Sequence, residues 1–534
     1  MLSESGRCEI RISPFSTFDR FRLKKKNGFG IFSPMCNCVY SRWVGFCAVC
    51  LGVTVLACAS QALAADGKPK IIVGIVSDVH IWVSPNEGAG LFESRFRKAL
   101  RFFDRNKVDA VVGCGDWIEL GWHQWFKRVG ECWFEAFPGG KRSDGKPIEK
   151  LFVFGDHEIE NFWNPNITRT YSREYILERD IPTYGRAKAY RESLREPWSP
   201  IMRKRIKGYD FVGVHFTMRE DESGRICEEG KIARWGEYIP GFGEFMSRNR
   251  FDPVKPFFCV MHRPPRDTVI APLVGSSYKS QPMEIVERYP NCIAFCGHKH
   301  KSATSERSLW QGGFTCVQVP AMQTVQTDAG HENGWASCDG YVPSNPPQQM
   351  PKMDTAKDGG QCLIMKVYGR SVVIERWNVV FEEKCADDWV IPFPLTADKP
   401  ASFESRAAKS KPVAFPEGAA VHVEMRKGAD RAGTAHDQYV VRFPQARSDA
   451  RHARGYDYRV TAKVTKHHWS RTVSEKWVYS PKCYLPESRD TGDVECVFSR
   501  AEVPAPFEKL EFVVTPYNAF GRPGEAISGA FNRK

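Results

Sequence analysis

From residue 70 onward the chain alternates between two kinds of segment: short runs that are apolar at nearly every position, and longer stretches whose apolar residues recur every three or four positions. The runs are "IIVGIV" (71–76), "VDAVVGC" (108–114), "LFVF" (151–154), "YDFVGV" (209–214), "FFCVM" (257–261) and "CIAFC" (292–296). A continuous apolar run is expected of a strand covered on both faces. Leu91, Phe92, Phe96, Ala99, Leu100 and Phe103 follow helical spacing, as do Trp122, Trp125, Phe126, Val129, Trp133 and Phe137. Strands alternating with helices predict a layered α/β domain. "CLIMKVYGRSVVIERWNVV" (362–380) predicts a closing pair of strands around Tyr368-Gly369-Arg370.

The pattern changes after Pro394. Residues 397–418 are rich in Ala, Ser, Lys and Pro, lack an apolar period and predict a linker. From Ala419 onward short alternating runs such as "QYVVRF", "YDYRVTAKV" and "KLEFVV" predict an antiparallel β-sandwich over 419–534. With 534 residues the chain is too long for one core. The break at the linker predicts that 65–396 folds and works without the module.

Before this, "WVGFCAVCLGVTVLACASQALA" (43–64) follows basic residues and ends in a small-x-small site, Ala62-Leu63-Ala64. Residues 1–64 therefore predict a cleaved export signal, with Met35 as an alternative start and a periplasmic or extracellular destination. An uncleaved membrane anchor and lipid attachment at Cys58 are the alternatives; a membrane partner is expected only if the anchor is retained. Beyond the signal, 12 of 18 cysteines remain, an even number compatible with disulfides. Cys483 and Cys496, flanking a turn-rich loop, are the expected pair. Cys114, Cys259 and Cys296 lie in apolar runs and predict small buried core residues. The formal charge is +13, and removing 1–64 leaves 68 basic against 60 acidic residues. That excess is spread along the chain, which suits a phosphate-bearing substrate and does not indicate specific nucleic-acid binding.

Chemistry is concentrated at the strand ends. After "IIVGIVS" comes Asp78-Val79-His80; after "VVGC", Gly115-Asp116; after "LFVF", Gly155-Asp156-His157-Glu158; after "FFCVM", His262; after "CIAFC", Gly297-His298-Lys299-His300. Ligands of α/β sheets bind at the carboxyl ends of strands, so eight Asp and His side chains are expected on one rim. Oxygen and imidazole donors without thiolates suit borderline-to-hard divalent ions, and eight donors suit two ions.

This ordered set resembles the calcineurin-like metallophosphoesterase family over about residues 70–300, with closing strands reaching 394. The resemblance implies a four-layer αββα sandwich and two divalent metal ions (Mn, Fe, Zn or Mg). Carried over by motif, Asp78, His80, Asp116 and His300 would hold one metal. Asp116 would bridge, and Asp156, His262 and His298 would complete the second. His157 would face the substrate, and a hydroxide shared by the metals would attack phosphorus in a phosphate mono- or diester. Glu158 would either orient His157 or be a solvated loop acid. His215 is expected in the core or a loop rather than on the rim. Long insertions at 161–196 and 219–238 are expected to form the substrate rim, with Arg173, Arg219 and Arg263 as candidate phosphate contacts. Glu119 stands where the related purple acid phosphatases carry a metal-binding Tyr, so a phenolate–iron site is not implied. The stretch "VTPYNAFGRPG" (514–524) loosely resembles the end of fibronectin type III-like modules.

The chain departs from the family at Asp156, where Asn is usual. A carboxylate adds a charge that strengthens cation binding and opposes an incoming phosphate, and it removes an amide donor. This predicts altered metal or substrate choice. The alternative function is a silent phosphoesterase fold acting through its C-terminal module, for which a surface or glycan partner stays open.

Overall fold

A computed structural model describes residues 67–84, 88–119, 123–158, 186–216, 241–265, 267–269, 281–328, 330–334, 353, 355–429, 435–447 and 454–531. The expected export signal, most of the insertion at 161–196, all of that at 219–238, and Arg173 and Arg219 lie outside the described residues. No helix among them is long and apolar enough to cross a membrane.

The first part runs β1 (Ile71–Val76), a small hairpin of β2 (Val83–Ser84) and β3 (Gly88–Ala89), α1 (Leu91–Arg105), β4 (Ala110–Gly113), α2 (His123–Ala136), β5 (Glu149–Phe152), α3 (Arg186–Leu194), β6 (Ile201–Ile206) and β7 (Tyr209–Val214). It continues through α4 (Phe242–Arg248), β8 (Phe257–Met261), α5 (Gln281–Val286), β9 (Cys292–Cys296), β10 (Leu309–Gln311), β11 (Thr315–Gln318), β12 (Gln361–Val367), β13 (Ser371–Asn378) and β14 (Glu383–Pro392). Two six-stranded sheets result, in the orders β14-β13-β12-β1-β4-β5 and β10-β11-β9-β8-β7-β6. Strands β1, β4 and β5 run parallel, as do β7, β8 and β9. The closing hairpin is present as β12 paired antiparallel with both β13 and β1.

The sheets share one core. Ile75, Val112 and Leu151 of the first sheet belong to the same buried cluster as Phe258, Phe295 and Val317 of the second. Helices α1 and α2 add Phe96, Phe103, Phe126 and Trp133 to it, whereas Phe242 of α4 and Ile285 of α5 pack against Cys259 and Ala294 in a separate cluster. The layers are therefore helix, sheet, sheet, helix: a four-layer αββα sandwich. The strands β4, β8 and β9 are buried at every position, as their unbroken apolar runs require.

A short helix, α6 (Phe403–Lys409), leads to β15 (His422–Ala429), β16 (Ala435–Phe443), β17 (Asp457–Lys466), β18 (Trp469–Tyr479), β19 (Val494–Ser499), β20 (Lys509–Tyr517) and β21 (Ile527–Phe531). These form a three-stranded sheet, β15-β16-β19, and a four-stranded sheet, β18-β17-β20-β21. Burial alternates along β17 and β20 because each sheet covers only one face. Val441, Phe443 and Phe498 meet Val460, Leu510 and Phe512 across the sandwich.

Three findings alter the expectations. First, 397–418 is not free of structure: α6 is capped by the Ser402 side chain, and its Arg406 pairs with the buried Glu306 and donates to the Leu309 carbonyl at 3.0 Å. Second, all ten described cysteines are free, buried thiols, and Cys483 and Cys496 lie in different clusters. Each packs as a small apolar side chain instead of closing a loop. Third, the module is joined to the α/β part by directional bonds. Asn333 donates to the Tyr479 carbonyl at 3.0 Å and accepts from the Tyr479 amide at 2.9 Å. Gln361 donates to the Tyr484 carbonyl at 2.6 Å, and Val325 and Met353 share an apolar cluster with Tyr479, Tyr484 and Leu485.

Ending the chain at residue 396 would expose that cluster and strip Asn333 and Gln361 of buried partners. Such a fragment is expected to be poorly soluble or to melt well below the intact chain. Asn333→Ala, which orphans the two buried groups of Tyr479, should cost about 1–3 kcal/mol in denaturant titration. A fragment as stable as the whole, together with a neutral Asn333→Ala, would show that the module is merely appended.

Candidate metal centre

Five of the parallel strands deliver the motif residues to one edge. Asp78 and His80 follow β1, Asp116 follows β4 and Asp156 follows β5; His262 follows β8, and His298 and His300 follow β9. The sheets meet at this edge through a bridge between Ser77 and Ala321 and a bond from the His298 amide to Asp78 Oδ1, 2.9 Å.

The turns there are tight. Asp78, His80, Asp116, His298 and His300 all have positive φ, between 49° and 73°. Such conformations cost non-glycine residues about 1–3 kcal/mol each and persist only where the surroundings impose them. Gly115, at φ 97°, could not carry a side chain, since a Cβ would stand 2.5 Å from the Gly155 nitrogen. That close approach brings the loops of Asp116 and Asp156 together.

The side chains form two sets whose donor atoms lie within 4.8 Å of one another: Asp78, His80, Asp116 and His300, and Asp116, Asp156, His262 and His298. Asp116 is common to both. In the first, His300 Nε2 is 3.2 Å from Asp78 Oδ1 and 3.1 Å from His80 Nε2. In the second, His262 Nε2 is 3.0 Å from Asp116 Oδ2 and 2.8 Å from Asp156 Oδ1, and His298 Nδ1 is 3.2 Å from Asp156 Oδ1.

This donor set fits cations. His262 Nδ1 faces the Cys114 carbonyl at 2.7 Å and His300 Nδ1 the Thr324 carbonyl at 3.1 Å. Each Nδ1 must therefore carry the proton, which leaves a lone pair on Nε2 in the neutral ring. Those lone pairs point into a cluster of carboxylates. His262 Nε2 and Asp156 Oδ1 are both buried without hydrogen-bond geometry to any partner, although they lie close together. Two acceptors held face to face in this way are what a divalent ion satisfies.

Electrostatics in the metal-free chain agree. Burial works against charge on both sides, yet the histidines hold the carboxyls of Asp78 and Asp116 below the ordinary range and that of Asp156 well below it. Burial is likewise outweighed by Asp116 at His262, whose imidazole is held well above its usual value, and by Asp78 at His300, which is also raised. At His298 burial wins and lowers the ring to about 4.

His157 lies beside the first set. Its amide donates to Asp116 Oδ1 at 3.0 Å and its Nδ1 faces the Glu119 carbonyl at 2.8 Å. Against the pull of burial, Asp116 and Glu119 hold this imidazole up at about 10.

Neither reading of Glu158 holds. The carboxylate is buried and accepts the backbone amides of Asp116 (3.1 Å), Trp117 (2.6 Å), Ile118 (3.2 Å) and Gly155 (2.6 Å). It ties the loop after β4 to the loop after β5 and leaves His157 to Glu119. Burial and neighbouring Asp116 push it up to about 7. Nor was Glu119 expected here: its Oε2 is 2.9 Å from His80 Nδ1. Only its place three residues after Asp116 hinted at proximity. His215 is a core histidine. It accepts from the Phe154 amide at 2.9 Å, packs against Tyr190 and Trp198, and is pushed down to about 3 by burial. Arg263 does not stand clear for phosphate: its Nη2 is 2.8 Å from Asp156 Oδ2.

The layer order and the order of the strand-end motifs are those that the resemblance to calcineurin-like metallophosphoesterases implies. No family model matches the chain, and no curated protein matches it in sequence. Among solved structures it is similar to a dimetal phosphatase from Danio rerio, at 11% identity over 61% of this chain and 100% of the other, with a TM-score of 0.31. A purple acid phosphatase from yellow lupin shares 12% identity over 61% of this chain and 55% of its own, also with a TM-score of 0.31. A predicted phosphoesterase from Streptococcus pneumoniae shares 10% identity over 60% and 97%, with a TM-score of 0.23.

Because His262 and His300 hold protons above the ordinary range, a cation must displace them. Metal affinity should therefore still be rising with pH above the ordinary imidazole range of about 6.5, with protons released on binding. Calorimetry in buffers of different ionisation enthalpy measures this directly, and affinity independent of pH would contradict it. Glu158→Gln keeps the volume but replaces acceptor capacity with an N–H₂ group facing amides. It should lower the melting temperature of the metal-free chain, at a cost of about 1–3 kcal/mol. An unchanged melt would mean that the two loops are held by other contacts.

Proposed function

We propose that the chain is a two-metal phosphoric ester hydrolase that cleaves a phosphate mono- or diester. The observation that carries this is the pair of buried four-residue donor sets sharing Asp116, with His157 beside them. Divalent ions held there by Asp78, His80, Asp116 and His300, and by Asp116, Asp156, His262 and His298, would supply Lewis acidity toward phosphoryl oxygens and an acidified water.

The chain's own residues have distinct tasks. Asp116 is held by two loops at once, since its Oδ1 accepts the His157 amide while its Oδ2 meets His262. It thereby fixes the spacing between the two sets. The Glu119 carbonyl keeps the proton of His157 on Nδ1. In the raised, protonated state the ring also carries a proton on Nε2, which it can give to a leaving oxygen. Burial of all three carboxylates excludes bulk water from the donor atoms and strengthens every charge interaction among them.

Export of the chain from residue 65 belongs to the same proposal, supported by the apolar segment at 43–59 and the site before Ala65. A silent domain acting through the β module is the weaker reading, because it gives no reason for eight Asp and His residues, five of them in strained left-handed backbone, to share one edge.

Turnover of p-nitrophenyl phosphate, its bis ester and cyclic nucleotides in the presence of Mn²⁺ is the test. At least one class should be hydrolysed, with loss of activity on chelation. His262→Ala and His298→Ala should each bind less metal and lose turnover. His157→Asn should keep both metals and lose about 10²–10⁴-fold in kcat. Two bound metals with no hydrolysis of any of these esters would sink the reading.

A further inference from the structure

The two oxygens of Asp156 do different things. Oδ1 sits among the nitrogens of His262 and His298, at 2.8 and 3.2 Å. Oδ2 is taken by Arg263 Nη2 at 2.8 Å in a hydrogen-bonded ion pair. The carboxylate is almost wholly buried, and Arg263 is mostly so, its guanidinium 5.0 Å from the Phe216 ring centre. Arg263 is also the next residue after His262, so one turn after β8 brings a candidate ligand and this cation together.

A buried guanidinium beside a cation-binding cluster is costly unless it meets a carboxylate. A third carboxylate in that cluster is equally costly without compensation. The pair removes both costs, and its geometry constrains each partner. With Oδ2 engaged, Asp156 can offer a metal only Oδ1. With its charge offset, the cluster carries the net charge of two carboxylates instead of three, the same as a set with a neutral amide at position 156.

We propose that Arg263 is a positioning residue for the second metal: it holds Asp156 as a one-oxygen donor and cancels its charge, so that Asp156 and Arg263 act together as a neutral ligand. This rests on the two-metal reading above. It revises two expectations from the sequence alone, that Asp156 strengthens cation binding by its extra charge and that Arg263 is available to phosphate. Arg263 is committed to the second metal's ligand.

The test is a double-variant cycle read by metal binding, with Mn²⁺ alone as the probe. Wild type, Arg263→Gln, Asp156→Asn and the double variant are stripped of metal, checked by thermal melting and titrated by calorimetry and by competition with a chromophoric chelator. Arg263→Gln leaves an uncompensated carboxylate and should tighten the weaker site on the order of tenfold. Asp156→Asn leaves a guanidinium beside the cation and should weaken it. The double variant should return to within a few-fold of wild type, because neutral pair and neutral amide are equivalent. A merely structural arginine would lower the melting temperature without tightening the weaker site. Unchanged affinity in Arg263→Gln, or a double variant as weak as Asp156→Asn alone, overturns the inference while leaving two-metal binding intact. Failure of the wild type to bind two Mn²⁺ would instead overturn the functional reading beneath it.

Discussion

Three carboxylates, Asp78, Asp116 and Asp156, are buried at one edge of two packed sheets, with the shared Asp116 within ligand reach of the other two. Removing charges from water costs several kcal/mol each unless they are met in place. Everything at this edge answers to that cost. Four histidines and one arginine converge on the three acids, and five of the motif residues accept left-handed backbone to reach them. With neutral imidazoles the arrangement is incomplete as a set of hydrogen bonds, since acceptors then face acceptors, and it fits a pair of cation shells.

Holding such a cluster requires loops that do not relax. Each is fastened by backbone bonds that have nothing to do with catalysis. Glu158 gathers four amides from two loops, Asp78 accepts the His298 amide, and the carbonyls of Cys114 and Thr324 fix two imidazole rings. Thr324 in turn lies on a segment secured from both sides. Arg95 of α1 donates to the Gln323 carbonyl at 2.6 Å, while Asn333 and Val325 engage Tyr479 of the β module. The module thereby bonds to the same stretch of chain that carries Thr324.

The elements were legible in the chain to the extent that their burial is uniform. Strands β4, β8 and β9 are covered on both faces, and their runs are apolar throughout. The edge strand β6, "IMRKRI", and short β10 are only partly buried, and β11, "TCVQ", is buried throughout but has polar ends, so none of the three shows an apolar run. The eight motif residues were legible because a ligand set must follow strand ends and so repeats at recognisable places. Glu158 and Arg263 stood in plain view with the wrong roles attached, and Glu119 with no role of its own. Each acts through a partner far along the chain: Glu158 through Trp117, Glu119 through His80, Arg263 through Asp156.

What the sequence alone determined is the alternation of buried strands and helices, the change to one-faced strands after residue 419, and the chemical type of the site. These follow from local patterns, in which solvent exposure and strand ends leave their mark on neighbouring positions. What only the tertiary structure decided is which charge faces which. Whether Cys483 meets Cys496, whether Glu158 serves a ring or a backbone, and whether Arg263 is held by Asp156 all depend on the relative placement of loops far apart in the chain. A side chain's pairing is set by distance and direction in space, and residue type alone encodes neither.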